Sequence, residues 1–201
     1  MRKIAFVAFF IMLAVATTFV FHATQQASIN YYKGHDLFVQ GDYEAAASYF
    51  ARAVALDPEY KEALTELAYS LLWTGRSEES IHVFQQLLLL EPDLMKSKQS
   101  LAAAYSWNQK YAEAEELYLQ VLAAGNNNAD IQKRLAEVYL WDQKHQKAQD
   151  VLRSVLEKNP DDLEAKFLYA KALQYSGKIE EAARIYRELL NEENSQGEET
   201  P

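Results

Sequence analysis

Apolar and polar positions fall into two regimes along the chain. From Ile4 to Phe21 there is no charged residue at all. Beyond that run, apolar residues recur at helical spacing and are interrupted by short polar breaks. Leu101, Ala102 and Tyr105 share one helix face, a break falls at Asn108 to Lys110, and Ala114, Tyr118, Val121 and Leu122 resume the helical period. Other breaks carry Gly41, Gly75 and Gly177, which suit helix C-termini, and longer segments close in "LDPEY", "LEPDL" and "KNPDD", where Pro stops a helix. The pattern predicts helix, short turn, helix, many times over.

The repetition has a fixed interval. Trp73, Trp107 and Trp141, the three tryptophans of the chain, are 34 residues apart. So are Pro58 and Pro92, with Pro160 two intervals further on. One column of small residues reads Gly34, Ala68, Ala102, Ala136, Ala170; a second reads Ala46, Ser80, Ala114, Ala148, Ala182; a bulky one reads Phe50, Phe84, Tyr118, Leu152, Tyr186. A constant interval of this length is the mark of a repeat architecture, and the register never slips. Residues no larger than Ala let two helix backbones approach while a ring from the partner helix fills the adjoining hole.

Repeat length, the small and bulky columns and the closing Pro together resemble the tetratricopeptide repeat family. Five units are expected, at 27–60, 61–94, 95–128, 129–162 and 163–194, after an apolar segment at 1–22 and a linker at 23–26, and before an acidic, disordered tail at 195–201. The resemblance implies an all-α chain: a right-handed α-solenoid of helix-turn-helix repeats with a concave inner groove, preceded by an N-terminal apolar helix. "GNNNAD" at 125–130 departs from the Pro turn, and Asn30 and Lys33 stand at apolar positions of the first helix.

Helical geometry gives the tryptophans a direction. At about 100° per residue, positions 7, 8 and 11 of each unit define the face packed on the partner helix, and position 13 points nearly opposite. Trp73, Trp107, Trp141 and Tyr175 occupy position 13, with Val39 in the first unit. The resemblance implies that this face lines the groove. Tyr31, Phe38, Tyr69, Lys133 and Phe167 are further groove positions, among others of mixed polarity, with no single charge dominating. Two readings of the indoles are open: they pack on the neighbouring repeat and set its curvature, or part of each ring stays exposed for a ligand. The carboxylate clamp of the family's chaperone-binding members is not carried over, because the corresponding positions Tyr31, His35, Glu66, Lys96 and Ser100 keep one match in five.

The N-terminal run bears on the compartment. A helix over Ile4 to Phe21 would be about 27 Å long, near the thickness of a bilayer's hydrocarbon core. Arg2 and Lys3 precede it and no charge follows until Lys33, which predicts a single-pass segment with its amino end in the cytoplasm and the repeats in the periplasm. Ala14-Val15-Ala16 offers a small-residue cleavage site, the alternative being a removed signal with the repeats released to the periplasm.

Charge and composition narrow the chemistry. With Arg2 and Lys3 set aside, 18 basic residues face 29 acidic ones, a net charge of −11, which argues against nucleic-acid binding. There is no cysteine, so disulfides, thiolate metal sites and Cys nucleophiles are excluded. His22, His35, His82 and His145 make no i, i+4 pair for a metal, and the six glycines form no phosphate loop. Pairs such as Glu78-Glu79 and Glu180-Glu181 suit the first turn of a second helix, where negative charge meets the helix dipole favourably.

No catalytic residue, metal or cofactor is therefore expected. The sequence predicts a non-catalytic scaffold of the bacterial cell envelope that binds a protein or peptide, and it associates with the membrane through residues 4–21. Export of cell-surface polysaccharide is the alternative, since the "W-x-G/Q-K/R" turn resembles that of repeat proteins in such systems and rings can stack on sugars. Ile185, Leu189 and Leu190 leave an apolar stripe on the last repeat, a candidate surface for a partner or a second copy.

Overall fold

The structure is a computed structural model; it describes the backbone of residues 2–92, 95–125 and 128–197, and the side chains within those ranges except 2–10, 16 and 192–197. Ten α-helices account for the described residues: α1 (Arg2–Val39), α2 (Tyr43–Leu56), α3 (Lys61–Trp73), α4 (Ser77–Leu90), α5 (Met95–Trp107), α6 (Tyr111–Ala123), α7 (Ala129–Trp141), α8 (His145–Lys158), α9 (Leu163–Tyr175) and α10 (Ile179–Gly197). The second helices of successive hairpins start at Tyr43, Ser77, Tyr111, His145 and Ile179, one every 34 residues.

Two compact units divide the chain, residues 1–97 and 98–201. In the first, α1 packs on α2, α2 on α3 and α3 on α4, with α1 also touching α3. In the second, the series runs α6 on α7, α7 on α8, α8 on α9 and α9 on α10, with α7 touching α9. Each unit is thus a row of hairpins that bury their faces on the next hairpin, so neighbouring repeats supply one another's core.

The repeated columns form the cores. Gly34, Ala68, Ala102, Ala136 and Ala170 are buried, as are Ala46, Ser80, Ala114, Ala148 and Ala182. Phe50, Phe84, Tyr118 and Leu152 fill the holes between them, whereas Tyr186 in the last hairpin is half-buried. At Gly34 there is no room for a side chain, since a Cβ there would lie 2.8 Å from the Phe50 ring. That contact is why the first member of an otherwise Ala column is Gly.

Every hairpin turns the same way. The amides of Asp42, Arg76, Lys110, Lys144 and Lys178 reach back five residues to the carbonyls of Leu37, Leu71, Tyr105, Tyr139 and Leu173 at 2.8–3.0 Å. This closure needs a left-handed residue just before the second helix. Gly41, Gly75 and Gly177 supply it, while Gln109 and Gln143 adopt it at φ 59° and 57°.

The ends differ from the expectations. Residues 23–26, expected as a linker, lie inside α1, which runs unbroken from Arg2 to Val39. Of the expected tail, residues 195–197 belong to α10, and 198–201 lie outside the described residues. Among the described residues no helix is long and apolar enough to cross a membrane. Within the apolar run at 4–21 the backbone is helical throughout, and side chains are described from residue 11 onward except at 16.

Candidate functional site

The position-13 rings sit at the ends of the first helices, beside the turn of each hairpin. Trp73 is 58% exposed, Trp107 50%, Trp141 42% and Tyr175 51%. Three of them have a ring partner in the preceding repeat. Trp73 stacks on Tyr43 with centroids 6.1 Å apart, Trp141 lies 6.5 Å from Tyr111, and Tyr175 lies 5.5 Å from His145. Those partners all occupy position 17, the first residue of the preceding repeat's second helix. Trp73, Trp141 and Tyr175 therefore spend one side on the repeat before them, and all four rings keep about half their surface in water. Packing on the neighbouring repeat thus uses part of the Trp73 and Trp141 rings and leaves part of each exposed.

The remaining candidates are placed less alike. In the first unit, Phe38 continues the ring series toward Tyr43 at 5.2 Å, and Tyr69 packs edge-on against Phe84 at 5.5 Å within its own hairpin. Tyr31 lies against Tyr60 at 5.1 Å and donates its hydroxyl to Glu66 at 3.1 Å. Burial and the nearby Glu66 charge push its pKa above the ordinary phenol value. In the second unit, Phe167 is half-exposed and lies 5.9 Å from Tyr186. Lys171 stands 5.9 Å over the Tyr175 ring.

Lys133 is not a free cation. Its ammonium meets Glu164 at 2.6 Å, Asp162 at 3.2 Å and Asp130 at 3.3 Å, and the residue is buried. Burial works against the charged form, but these carboxylates outweigh it and hold the pKa above the ordinary lysine value. Together with Gln99, Arg134 and Glu137 it lines a polar depression of about 340 Å³ on the first helices of the second unit. A comparable depression of about 280 Å³ in the first unit holds Tyr31, Glu62, Thr65 and Glu66. Both depressions contain expected groove residues, and in each one such residue is already paired, Lys133 with three carboxylates and Tyr31 with Glu66.

A second set of contacts at the turns was not expected. Glu115 receives hydrogen bonds from Lys144 at 2.7 Å, Lys147 at 2.9 Å and the Tyr139 hydroxyl at 3.1 Å. Burial alone would raise its pKa; the three donors reverse this and hold it down at about 2. One repeat later, the buried Gln149 donates to the Ser176 hydroxyl at 2.9 Å and accepts from Lys178 at 3.0 Å. Glu115 and Gln149 occupy position 21, which is Ala47, Ile81 and Ala183 elsewhere. A polar residue in an apolar column, with a Lys at position 16 of the following unit, was the available signal.

A tetratricopeptide repeat model matches residues 37–105 and 142–199, and a second tetratricopeptide repeat model matches 94–125. The chain belongs to the tetratricopeptide repeat family. Such repeats serve as protein–protein interaction scaffolds and are generally non-catalytic. No curated protein matches the sequence.

Similar solved structures agree on the fold. MamA from Desulfovibrio magneticus superimposes with a TM-score of 0.76 at 18% identity, over 85% of this chain and 97% of that one. The kinesin light chain tetratricopeptide-like repeats of Podosopora anserina give 0.75 at 20% identity, over 88% and 98%. A tetratricopeptide repeat protein from Parabacteroides merdae gives 0.75 at 19%, over 85% of this chain and 68% of that one.

Proposed function

We propose that this tetratricopeptide repeat protein is a scaffold of the bacterial cell envelope and that it grips a protein or peptide partner with the exposed halves of its position-13 rings. One observation carries the reading. Trp107, Trp141 and Tyr175, all in the second unit, each leave roughly half their surface in water. Aromatic faces held rigidly by a neighbour give large contact area with little conformational entropy to lose on binding, which is the character of interface anchors. The polar depression around Lys133 contributes less, because the Lys133 ammonium is already answered by three carboxylates.

The apolar segment at 4–21 supports an anchor in the cytoplasmic membrane, with Arg2 and Lys3 on the cytoplasmic side and the repeats in the periplasm. The described part of that segment leaves Ile11, Met12, Leu13, Val15, Phe19, Val20 and Phe21 exposed along a helix with no covering element. Leu190, 58% exposed on α10, is a further apolar position suited to a partner or a second copy.

Polysaccharide remains the second reading, supported by exposed Gln109, Gln143 and Gln174 close in sequence to the rings, since amides beside flat apolar faces suit sugars. The test is a photo-crosslinking residue placed at Gln109 or Gln143 in the intact chain, irradiated in envelope extract. A discrete protein adduct is the expected outcome. Adducts to glycan alone favour the second reading, and the same adducts from a crosslinker at the distant Glu157 count against both.

A further inference from the structure

We infer that the unbroken α1 stands the first unit on the membrane with its inter-repeat turn (57–60) toward the bilayer and the Tyr43–Trp73 ring pair away from it, so that the partner of that pair arrives from the aqueous side. The inference rests on the membrane reading above and adds the orientation that reading leaves open.

The 38 residues of α1 form one helix, and the first residue that favours a break, Gly34, comes well inside the first hairpin. No Pro or Gly separates the apolar run from the repeat, so nothing in that stretch supplies a hinge. Hydroxyls in the upper part of the helix bond to its own backbone: Thr17 to Ala14 at 2.9 Å, Thr18 to Val15 at 2.9 Å and Thr24 to Phe21 at 2.9 Å. A hydroxyl satisfied in this way needs no water, which suits a helix entering hydrocarbon.

The same helix is then gripped by the repeat. Ala27 is buried, and Gly34 brings the backbone so close to α2 that the Phe50 ring occupies the place of its missing side chain. Direction along α1 is thereby distance from the bilayer. Tyr60, in the turn between the first two repeats, lies 5.1 Å from Tyr31, toward the apolar run. Tyr43 lies 5.2 Å from Phe38, at the far end, and Trp73 stacks on Tyr43. From Phe21 to Val39 a helix rises about 27 Å, and the headgroup layer takes up only about 5–8 Å of that. A helix tilt of about 20° changes this little. Tryptophans often sit at the membrane–water interface, yet this geometry lifts Trp73 clear of it. The ring pair is therefore open to a soluble partner or to one that reaches across the aqueous space, and closed to lipid.

The chain has no cysteine, so single labels are easily placed. Exposed Glu59, in the turn 57–60, and exposed Glu78, at the start of α4, mark the two ends of the unit. The full-length Glu59→Cys and Glu78→Cys proteins are reconstituted in phosphatidylcholine–phosphatidylglycerol vesicles carrying a headgroup-attached acceptor, and energy transfer from a cysteine-linked donor is measured. Several-fold greater transfer from position 59 than from 78 is expected, and a Gly-Ser-Gly-Ser-Gly insertion after Gln25 should bring the two values together. Protein that co-floats with vesicles but shows equal transfer, or more from 78, overturns the orientation alone. An unequal ratio that survives the insertion overturns the role given to the continuous helix. Failure to co-float removes the membrane reading itself, and this inference with it.

Discussion

Position 13 shows how one residue divides its surface between two tasks. An indole carries far more area than a contact with one neighbouring ring consumes, so Trp141 packs on Tyr111 and is still 42% exposed. Glu115 is the opposite case, a carboxylate wholly committed to the fold. Its pKa falls from the ordinary 4.5 to about 2 in the folded chain, so the stability it adds is complete above pH 4.5 and disappears as the pH drops toward 2. Lys144 and Lys147 are partly solvated, which reduces the worth of the cluster to about 1–2 kcal/mol. Glu115→Gln should therefore lower unfolding stability by that amount at pH 6, and the gap to the unmodified chain should shrink by pH 3, as read from urea melts at each pH. A gap that stays constant with pH would contradict the ion-pair account.

At the scale of elements, the sequence periodicity carried most of the information. Small and bulky columns, turn glycines and helix-stopping prolines each depend on a residue type at a fixed register, and the helices follow that register through all five hairpins. Less legible were the features that depend on the neighbour a side chain meets. Lys133 resembles a free groove cation until three carboxylates, two of them from the turn into α9 and its first residues, are folded onto it. The indoles gave their direction through helical geometry, but the pairing of Trp73 and Trp141 with position 17 crosses from one repeat to the next and has no local signature.

Position 16 illustrates the same dependence and makes a test. Asp42 caps α2 by accepting from the Ala45 amide at 3.1 Å, whereas Lys110 and Lys144 begin α6 and α8 without a side-chain cap. Lys144 compensates through Glu115 at 2.7 Å and Asp142 at 2.6 Å. Lys110→Asp should restore the cap and stabilise the chain by about 0.5–1 kcal/mol, while Lys144→Asp should destabilise it despite gaining the same cap. Thermal or urea melts of the two variants check the contrast; equal shifts in the same direction would count against it.

At the scale of the molecule, the row of hairpins in each unit explains how a chain without cysteine holds rings in fixed, solvent-facing places. Trp73, Trp141 and Tyr175 each rest on the repeat before them, so the proposed binding surface and the packing between repeats share residues. That economy also means that substitution of a ring must be judged against retained folding. The most direct measurement is capture from bacterial envelope extract by the intact chain and by its Trp107→Ala/Trp141→Ala variant, with helicity and melting checked in parallel. If the exposed ring faces hold the partner, a protein retained in stoichiometric amount by the unmodified chain should fall at least about tenfold for the variant at unchanged helicity, a loss of roughly 1.4 kcal/mol or more. Undiminished capture by a folded variant would show that the rings serve only to join one repeat to the next.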